Sequence, residues 1–147
     1  MRAARFYRSV FKRSKILDSG DMSTSIRIEG LEIILFDGGP HYRLDPAASL
    51  FLSVKTQKQV DYYWNRLSAG GEPLQCGWLT DRFGVTWQII PEILPKLLFD
   101  SDEEKAGRTM AAMLEMKKLD IAALKAAHAG SGSGRRSARA VAARKRG

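Results

Sequence analysis

His41 and Cys76 are the side chains of this sequence best suited to move a proton or attack an electrophile, and neither has an obvious partner. His41 follows Gly38-Gly39-Pro40 and can line a pocket as a proton shuttle or a lone metal ligand, or it can satisfy a loop backbone group. Cys76 is the single thiol; as a nucleophile it needs a base to form thiolate, which His41 supplies only if the chain folds back on itself. Otherwise Cys76 packs as a small hydrophobe. Alternation along a strand puts Cys76, Trp78 and Thr80 on one face and Leu79 on the other, and likewise Thr86 and Gln88 opposite Trp87. One face of this stretch therefore tolerates polar groups, as a pocket wall must. The pocket expected from these residues is His41, Cys76, Trp78, Thr86 and Gln88. Trp78, Trp87 and Phe83 either floor a flat ligand's site or form the core of their own hairpin. His128, beside a helix end at Gly130, reads as a helix-dipole partner.

These residues need strands and helices to hold them. Ala3, Phe6, Tyr7, Val10 and Phe11 recur at helical spacing, predicting a helix over 2–13 with one buried face. Ile16 and Leu17 predict a short strand, and the alternating apolar residues of 26–35 around Glu29-Gly30 a hairpin. Leu50, Leu52 and Val54 predict a further strand. Thr56, with Gln59 three residues on, forms a capping box for a helix whose buried face is Val60, Tyr63, Trp64 and Leu67 and which Gly70-Gly71 ends. Strands at Cys76–Thr80 and Val85–Ile90 flank the turn Asp81-Arg82-Phe83-Gly84, and Pro91 closes the pair. Ser101 and Glu104 predict a second capping box and a helix to about Lys117, with Met110, Met113 and Leu114 inward; Asp120 caps a last short helix. Residues 47–90 read strand–helix–strand–strand, and residues 2–37 repeat that unit without its opening strand.

A chain of 147 residues supports one domain. No stretch reaches the roughly 18 to 20 uninterrupted apolar residues of a membrane helix, the start has no apolar core of a secretory signal, and one cysteine cannot form an internal disulfide. A cytoplasmic protein without membrane contact is expected. The net charge of +8 is concentrated: residues 131–147 hold six arginines and lysines and no acid, and removing those six leaves +2 on the first 130. That segment predicts a disordered basic tail able to touch nucleic acid weakly and without sequence preference.

Two stretches carry a resemblance. Asp37-Gly38-Gly39-Pro40-His41 and the run from Gln75 through Asp81-Arg82-Phe83-Gly84 to Ile89 are similar to signatures of the PhnB-like branch of the vicinal oxygen chelate (glyoxalase/bleomycin resistance/dioxygenase) superfamily. Ala3–Tyr7 and Val60–Trp64 resemble its two helices, and Met113–Ile121 its C-terminal extension, so the likeness covers about residues 2–130. Members of this branch are often labelled demethylubiquinone 3-methyltransferases, but no Gly-rich loop follows a leading strand here to receive a methyl-donor nucleoside. The resemblance implies an α+β fold of paired βαβββ modules forming a half-barrel around a pocket, the first module lacking its opening strand, with helices appended at the C-terminus. In active members a divalent metal chelates vicinal substrate oxygens and stabilises an enolate or peroxide. A Glu ligand in the last strand of a module corresponds to Gln88, whose neutral amide coordinates a hard cation weakly.

The sequence thus predicts a glyoxalase-like domain over 1–130 that binds a small organic molecule, as a binding protein or weak enzyme, without a tightly bound metal. Two alternatives follow from the same residues: a metal-dependent lyase, isomerase or dioxygenase completed by a second subunit, and a nucleic-acid-associated protein acting through its tail. The missing strand leaves an unpaired edge, which predicts either a homodimer that covers it or further coding sequence upstream of Met1.

Overall fold

The computed structural model describes residues 1–131; the predicted tail lies outside the described residues from position 132 onward. Helix α1 (Arg2–Val10) leads into strands β1 (Ser14–Ser19), β2 (Ser23–Ile28) and β3 (Leu31–Phe36), and a 3-10 turn at Gly39–His41 follows. Strand β4 (Leu50–Val54), helix α2 (Gln57–Leu67), strands β5 (Glu72–Pro73), β6 (Trp78–Thr80) and β7 (Thr86–Pro91), then helices α3 (Ile93–Leu98), α4 (Glu103–Leu114) and α5 (Ile121–His128) follow among the described residues. Among the described residues no helix is long and apolar enough to cross a membrane.

The internal repeat is present in the backbone. The second module, β4-α2-β5-β6-β7, forms a four-stranded sheet in the order β4-β7-β6-β5, with opening strand β4 parallel to last strand β7. The first module has α1 and the antiparallel sheet β1-β2-β3, and no strand occupies the place beside β3 that β4 takes beside β7. Among the described residues the outer edges of β3 and β4 are therefore both unpaired. Type I′-like backbone at Glu29 (φ 48°) and Gly30 (φ 94°) joins β2 to β3, the turn whose twist matches that of the strands.

One core unites the modules. The α1 face of Ala4, Tyr7 and Val10 and the α2 face of Val60, Trp64 and Leu67 pack with Ile26, Ile28, Leu79, Trp87 and Ile89 from the two sheets. Aromatic rings fill its centre: Phe11 stacks on Trp87 at 5.3 Å and on Tyr63 at 5.4 Å, and Tyr7 lies 5.8 Å from Trp87. Each fully buried side chain of this size contributes about 1.5–3 kcal/mol over its exposed state. A second cluster of Ile90, Leu94, Leu97, Leu119 and Leu124 seats the C-terminal helices. Gln57 also ties them to α2, donating to the Leu119 carbonyl at 3.1 Å and accepting from the Ile121 N–H at 2.9 Å.

The Thr56 capping box forms as expected. The Thr56 hydroxyl accepts from the Gln59 N–H at 3.2 Å, and the Gln59 side chain accepts from Thr56 N–H in return. Replacing Thr56 by Ala is expected to lower stability by about 1 kcal/mol, measurable as a shift of the urea midpoint at unchanged slope.

Several expectations are corrected. Helix α1 stops at Val10, because Phe11 turns to extended backbone (φ −100°, ψ 117°) and swings its ring onto Trp87. The strand expected over Cys76–Thr80 is only Trp78–Thr80, since Cys76 (φ 59°) and Gly77 (φ 83°) both adopt left-handed backbone. Strand β5 and helix α3 were not expected: the first has two residues and the second carries Pro95 within six. The cap of α4 is Asp102 rather than Ser101, with its carboxylate accepting from the Glu104 and Lys105 N–H groups. Helix α4 ends at Leu114 and turns Met110 and Leu114 to solvent, while Met113 is half-buried. Thr109 takes the buried position because its hydroxyl is satisfied by the Lys105 carbonyl at 2.9 Å.

Candidate functional site

Strand register decides which of the predicted site residues meet. Trp78 lies opposite Gln88 and Thr80 opposite Thr86 across β6–β7, and Phe51 lies beside Gln88 across β4–β7. Trp78, Thr80, Thr86, Gln88 and Phe51 therefore share the sheet face turned away from α2. Leu79, Trp87 and Ile89 take the other face and are core. Trp87 and Phe83 both join the aromatic packing of Tyr7. On the Gln88 face, Gln88 Nε2 donates to Ser49 Oγ at 2.8 Å, leaving its amide oxygen as an acceptor. Thr86 is almost wholly buried, and its hydroxyl has no hydrogen-bond partner among the described residues.

The other two predicted residues lie elsewhere. His41 ends the 3-10 turn and is exposed. Cys76 sits in the loop before β6, where its backbone N–H donates to the Met116 carbonyl at 2.7 Å and its thiol points to the Met113 carbonyl at 3.6 Å. The C-terminal segment, not His41, is the neighbour of the thiol. A Cys–His pair is not formed.

A cleft runs along the free edge of β4, between it and the β2–β3 hairpin. Its inner recess, about 170 Å³, is lined by Phe11, Leu31, Ile33, Leu50, Leu52 and Trp87. Its outer part, about 470 Å³, carries Arg13, Glu29, Lys55, Gln59, Tyr63 and Glu92. Phe51, Leu52 and Glu29 line both parts. Of the residues expected to form the pocket, none of His41, Cys76, Trp78, Thr86 and Gln88 lines this cleft; Phe51, the neighbour of Gln88 across β4–β7, does. The inner end is apolar and the mouth bears both signs of charge. Burial, and secondarily the Glu29 charge, raises the Tyr63 phenol above its ordinary range and keeps it protonated. This cleft occupies the position that the repeat assigns to a missing opening strand. Pattern reading found the missing strand but not the cleft, because the cleft depends on the spacing of two edges far apart in sequence.

Among the described residues no three His, Cys, Asp or Glu side chains converge. The Gln88 face presents an amide, hydroxyls and aromatic rings, neutral groups that suit an organic molecule better than a hard cation.

Residues 1–90 match the family described as 3-demethylubiquinone-9 3-methyltransferase. The chain belongs to that family. Among solved structures, this family member is similar to the PhnB protein of Bacillus cereus, with 25% identity and a TM-score of 0.54 over 61% of this chain and 88% of that one. It is also similar to protein PA1353 from Pseudomonas aeruginosa, at 18% identity and a TM-score of 0.50 over 62% and 87% of the two chains, a likeness of fold alone. No curated protein matches. The PhnB-like, glyoxalase-type α+β fold expected from the sequence is thereby established for this member of the family.

Proposed function

We propose that this family member is a glyoxalase-like small-molecule-binding protein whose ligand lies in the cleft between the two modules and needs no tightly bound metal. The observation that carries the reading is the cleft itself: an apolar recess continuous with a charged mouth, of a combined size suited to a small organic molecule. A ligand with a flat apolar body and one ionised group satisfies both ends. The body fills the space between Leu31 and Leu52, and the ionised group reaches Arg13 or Lys55 if acidic and Glu29 or Glu92 if basic. A homodimer belongs to the same proposal. Ile34 and Phe36 on the first sheet and Phe51 on the second are more than half exposed, and a second copy over these strands removes that apolar surface from water.

The anionic dye 8-anilinonaphthalene-1-sulfonate tests the site, since its rings and sulfonate match the two ends of the cleft. Saturable binding at one site per chain is expected, weakened about tenfold by Phe51→Ala, which removes the aromatic ring that lines both parts of the cleft. Leu114→Ala, on the exposed side of α4, serves as the control and leaves the affinity unchanged. Equal loss in both variants, or in neither, overturns the assignment. Metal analysis after dialysis tests the remaining clause, and stoichiometric zinc, nickel or iron contradicts it. Light scattering that finds a stable monomer at micromolar concentration removes the dimer.

A further inference from the structure

Helix α1 is built against its own electrostatics. Residues 1–15 contain Arg2, Arg5, Arg8, Lys12, Arg13 and Lys15 and no acid, whereas residues 16–130 carry twelve cations and sixteen acids, a net of −4. The N-terminal segment is therefore a positive patch on an otherwise acidic fold. Arg2, Arg5 and Arg8 are all exposed and follow one another at i, i+3 and i+6, so they fan across the outer face of α1 while Ala4, Tyr7 and Val10 fill the core. Like charges at this spacing repel. Two of the three also lie toward the N-terminal end of the helix, where the dipole disfavours cations, and that end has neither an acidic residue nor a side-chain cap. Among the described residues only Arg13 of the six is in an ion pair, a long one of 3.7 Å to Glu29. Folding alone gives no reason for this arrangement, since neutral helix formers at the three positions pack the same buried face.

The patch widens around α1. Arg82 lies 4.8 Å over the Phe6 ring, with two of its N–H groups donating to the Ala69 carbonyl. Helix α2 adds exposed Lys58 and Arg66, and its one acid, Asp61, is held by Lys118 at 2.7 Å. A polyanion presenting charges at close spacing relieves the repulsion at all three positions together.

We propose that the outer face of α1 docks on the phosphate backbone of duplex nucleic acid. A duplex presents about one negative charge per 1.7 Å of axis, and the run from Arg2 to Arg8 spans roughly 9 Å of helix, enough to meet several phosphates at once. An anionic lipid surface fits less well, because a membrane-seeking helix sinks its apolar side into the bilayer and the apolar side of α1 is already core. No exposed aromatic ring lies on the outer face of α1 to stack on unpaired bases, so the recognition is of backbone and carries no sequence preference. Arg2, Arg5 and Arg8 do not line the ligand cleft.

Fluorescence anisotropy with a 20-base-pair DNA duplex, titrated in salt with the full-length chain, tests the proposal. Arg2→Gln/Arg5→Gln/Arg8→Gln is expected to weaken binding about tenfold or more at 50 mM salt and to reduce the slope of log affinity against log salt by about 2 to 3. The same variant melts at the wild-type temperature or above, because the repulsion is gone. Arg5→Glu, whose charge suits the dipole, provides a second folded variant with the same direction of effect. A parallel full-length variant, Arg135→Gln/Arg136→Gln/Arg139→Gln, separates the tail. Absence of duplex binding by the wild type, loss confined to the tail variant, or tighter binding to phosphatidylserine vesicles than to duplex at equal salt each overturns the proposal.

Discussion

Replacing Asp81 by alanine is expected to lower folding stability by about 3–5 kcal/mol, the range for removing one partner from a buried charged network. The carboxylate is almost wholly buried and accepts four hydrogen bonds. One oxygen takes the Tyr7 hydroxyl at 2.8 Å and the Trp87 indole N–H at 2.9 Å; the other takes the Phe83 and Val85 N–H groups at 2.8 and 3.1 Å. It therefore joins α1 of the first module to the β6–β7 turn of the second, through the aromatic core. Alanine leaves four donors without an acceptor. Asp81→Asn keeps the turn contacts but opposes an amide N–H to one of the donors above, and about 2–3 kcal/mol is expected. Tyr7→Phe removes one donor and its bond to a charged acceptor, for about 1.5 kcal/mol. Urea unfolding followed by tryptophan fluorescence measures all three, and equal small losses for all three contradict a network role.

The same contact sets an alkaline limit. Burial first, and then the Asp81 charge and hydrogen bond, raise the Tyr7 hydroxyl far above its ordinary value of 10.0. In the unfolded chain Tyr7 ionises near pH 10, whereas in the folded chain it keeps its proton. Above that pH the native state holds more protons than the unfolded state, so stability is intact below about pH 10 and falls as pH rises, by up to about 1.4 kcal/mol per unit from this group. Tyr7→Phe flattens that part of the profile, leaving the smaller contribution of Tyr63.

What the sequence disclosed and what it withheld follow from the range of the forces involved. The hairpin at Glu29-Gly30, the Thr56–Gln59 cap, the Asp81–Gly84 turn and the Asp120 cap are local, each set by a few adjacent residues, and each forms where expected. The repeat and its missing strand were also legible, because strand and helix periodicities survive in both halves. Asp81 itself looked like an ordinary turn residue. Its role as the joint between modules depends on Tyr7, 74 positions away. The site suffered for the same reason. Alternation correctly grouped Trp78, Thr86 and Gln88, but it assumed that the strand began at Cys76, and that assumption carried the thiol to the wrong surroundings. His128 similarly reads as a dipole partner, yet its ring also pairs with Asp100 at 2.9 Å, a contact no local pattern contains.

The break before β6 points to the second large effect: Gly77→Ala is expected to reduce stability by about 2–4 kcal/mol. Gly77 has φ 83°, where an L-residue costs about 1–2 kcal/mol. An added Cβ also meets the Ile89 carbonyl oxygen and Leu119 Cδ1, each at 2.9 Å, and crowding of this kind adds about 1–3 kcal/mol. Neither neighbour can withdraw easily. The Ile89 N–H bonds the Gly77 carbonyl at 2.8 Å, the Gly77 N–H bonds the Lys117 carbonyl at 2.7 Å, and Leu119 is fully buried in the cluster beneath α3 and α5. The variant is expected to loosen the C-terminal helices from the second module, seen as faster hydrogen exchange at the Cys76 and Gly77 positions and a lower urea midpoint. Gly107→Ala is the matched opposite. Gly107 lies inside α4 with nothing within 4 Å of the added carbon, so the gain in helix propensity stands alone and stability rises by about 0.5–1 kcal/mol. Two alanines of opposite sign in one chain isolate the cause, since both remove the flexibility of glycine from the unfolded state and only one must be forced into occupied space.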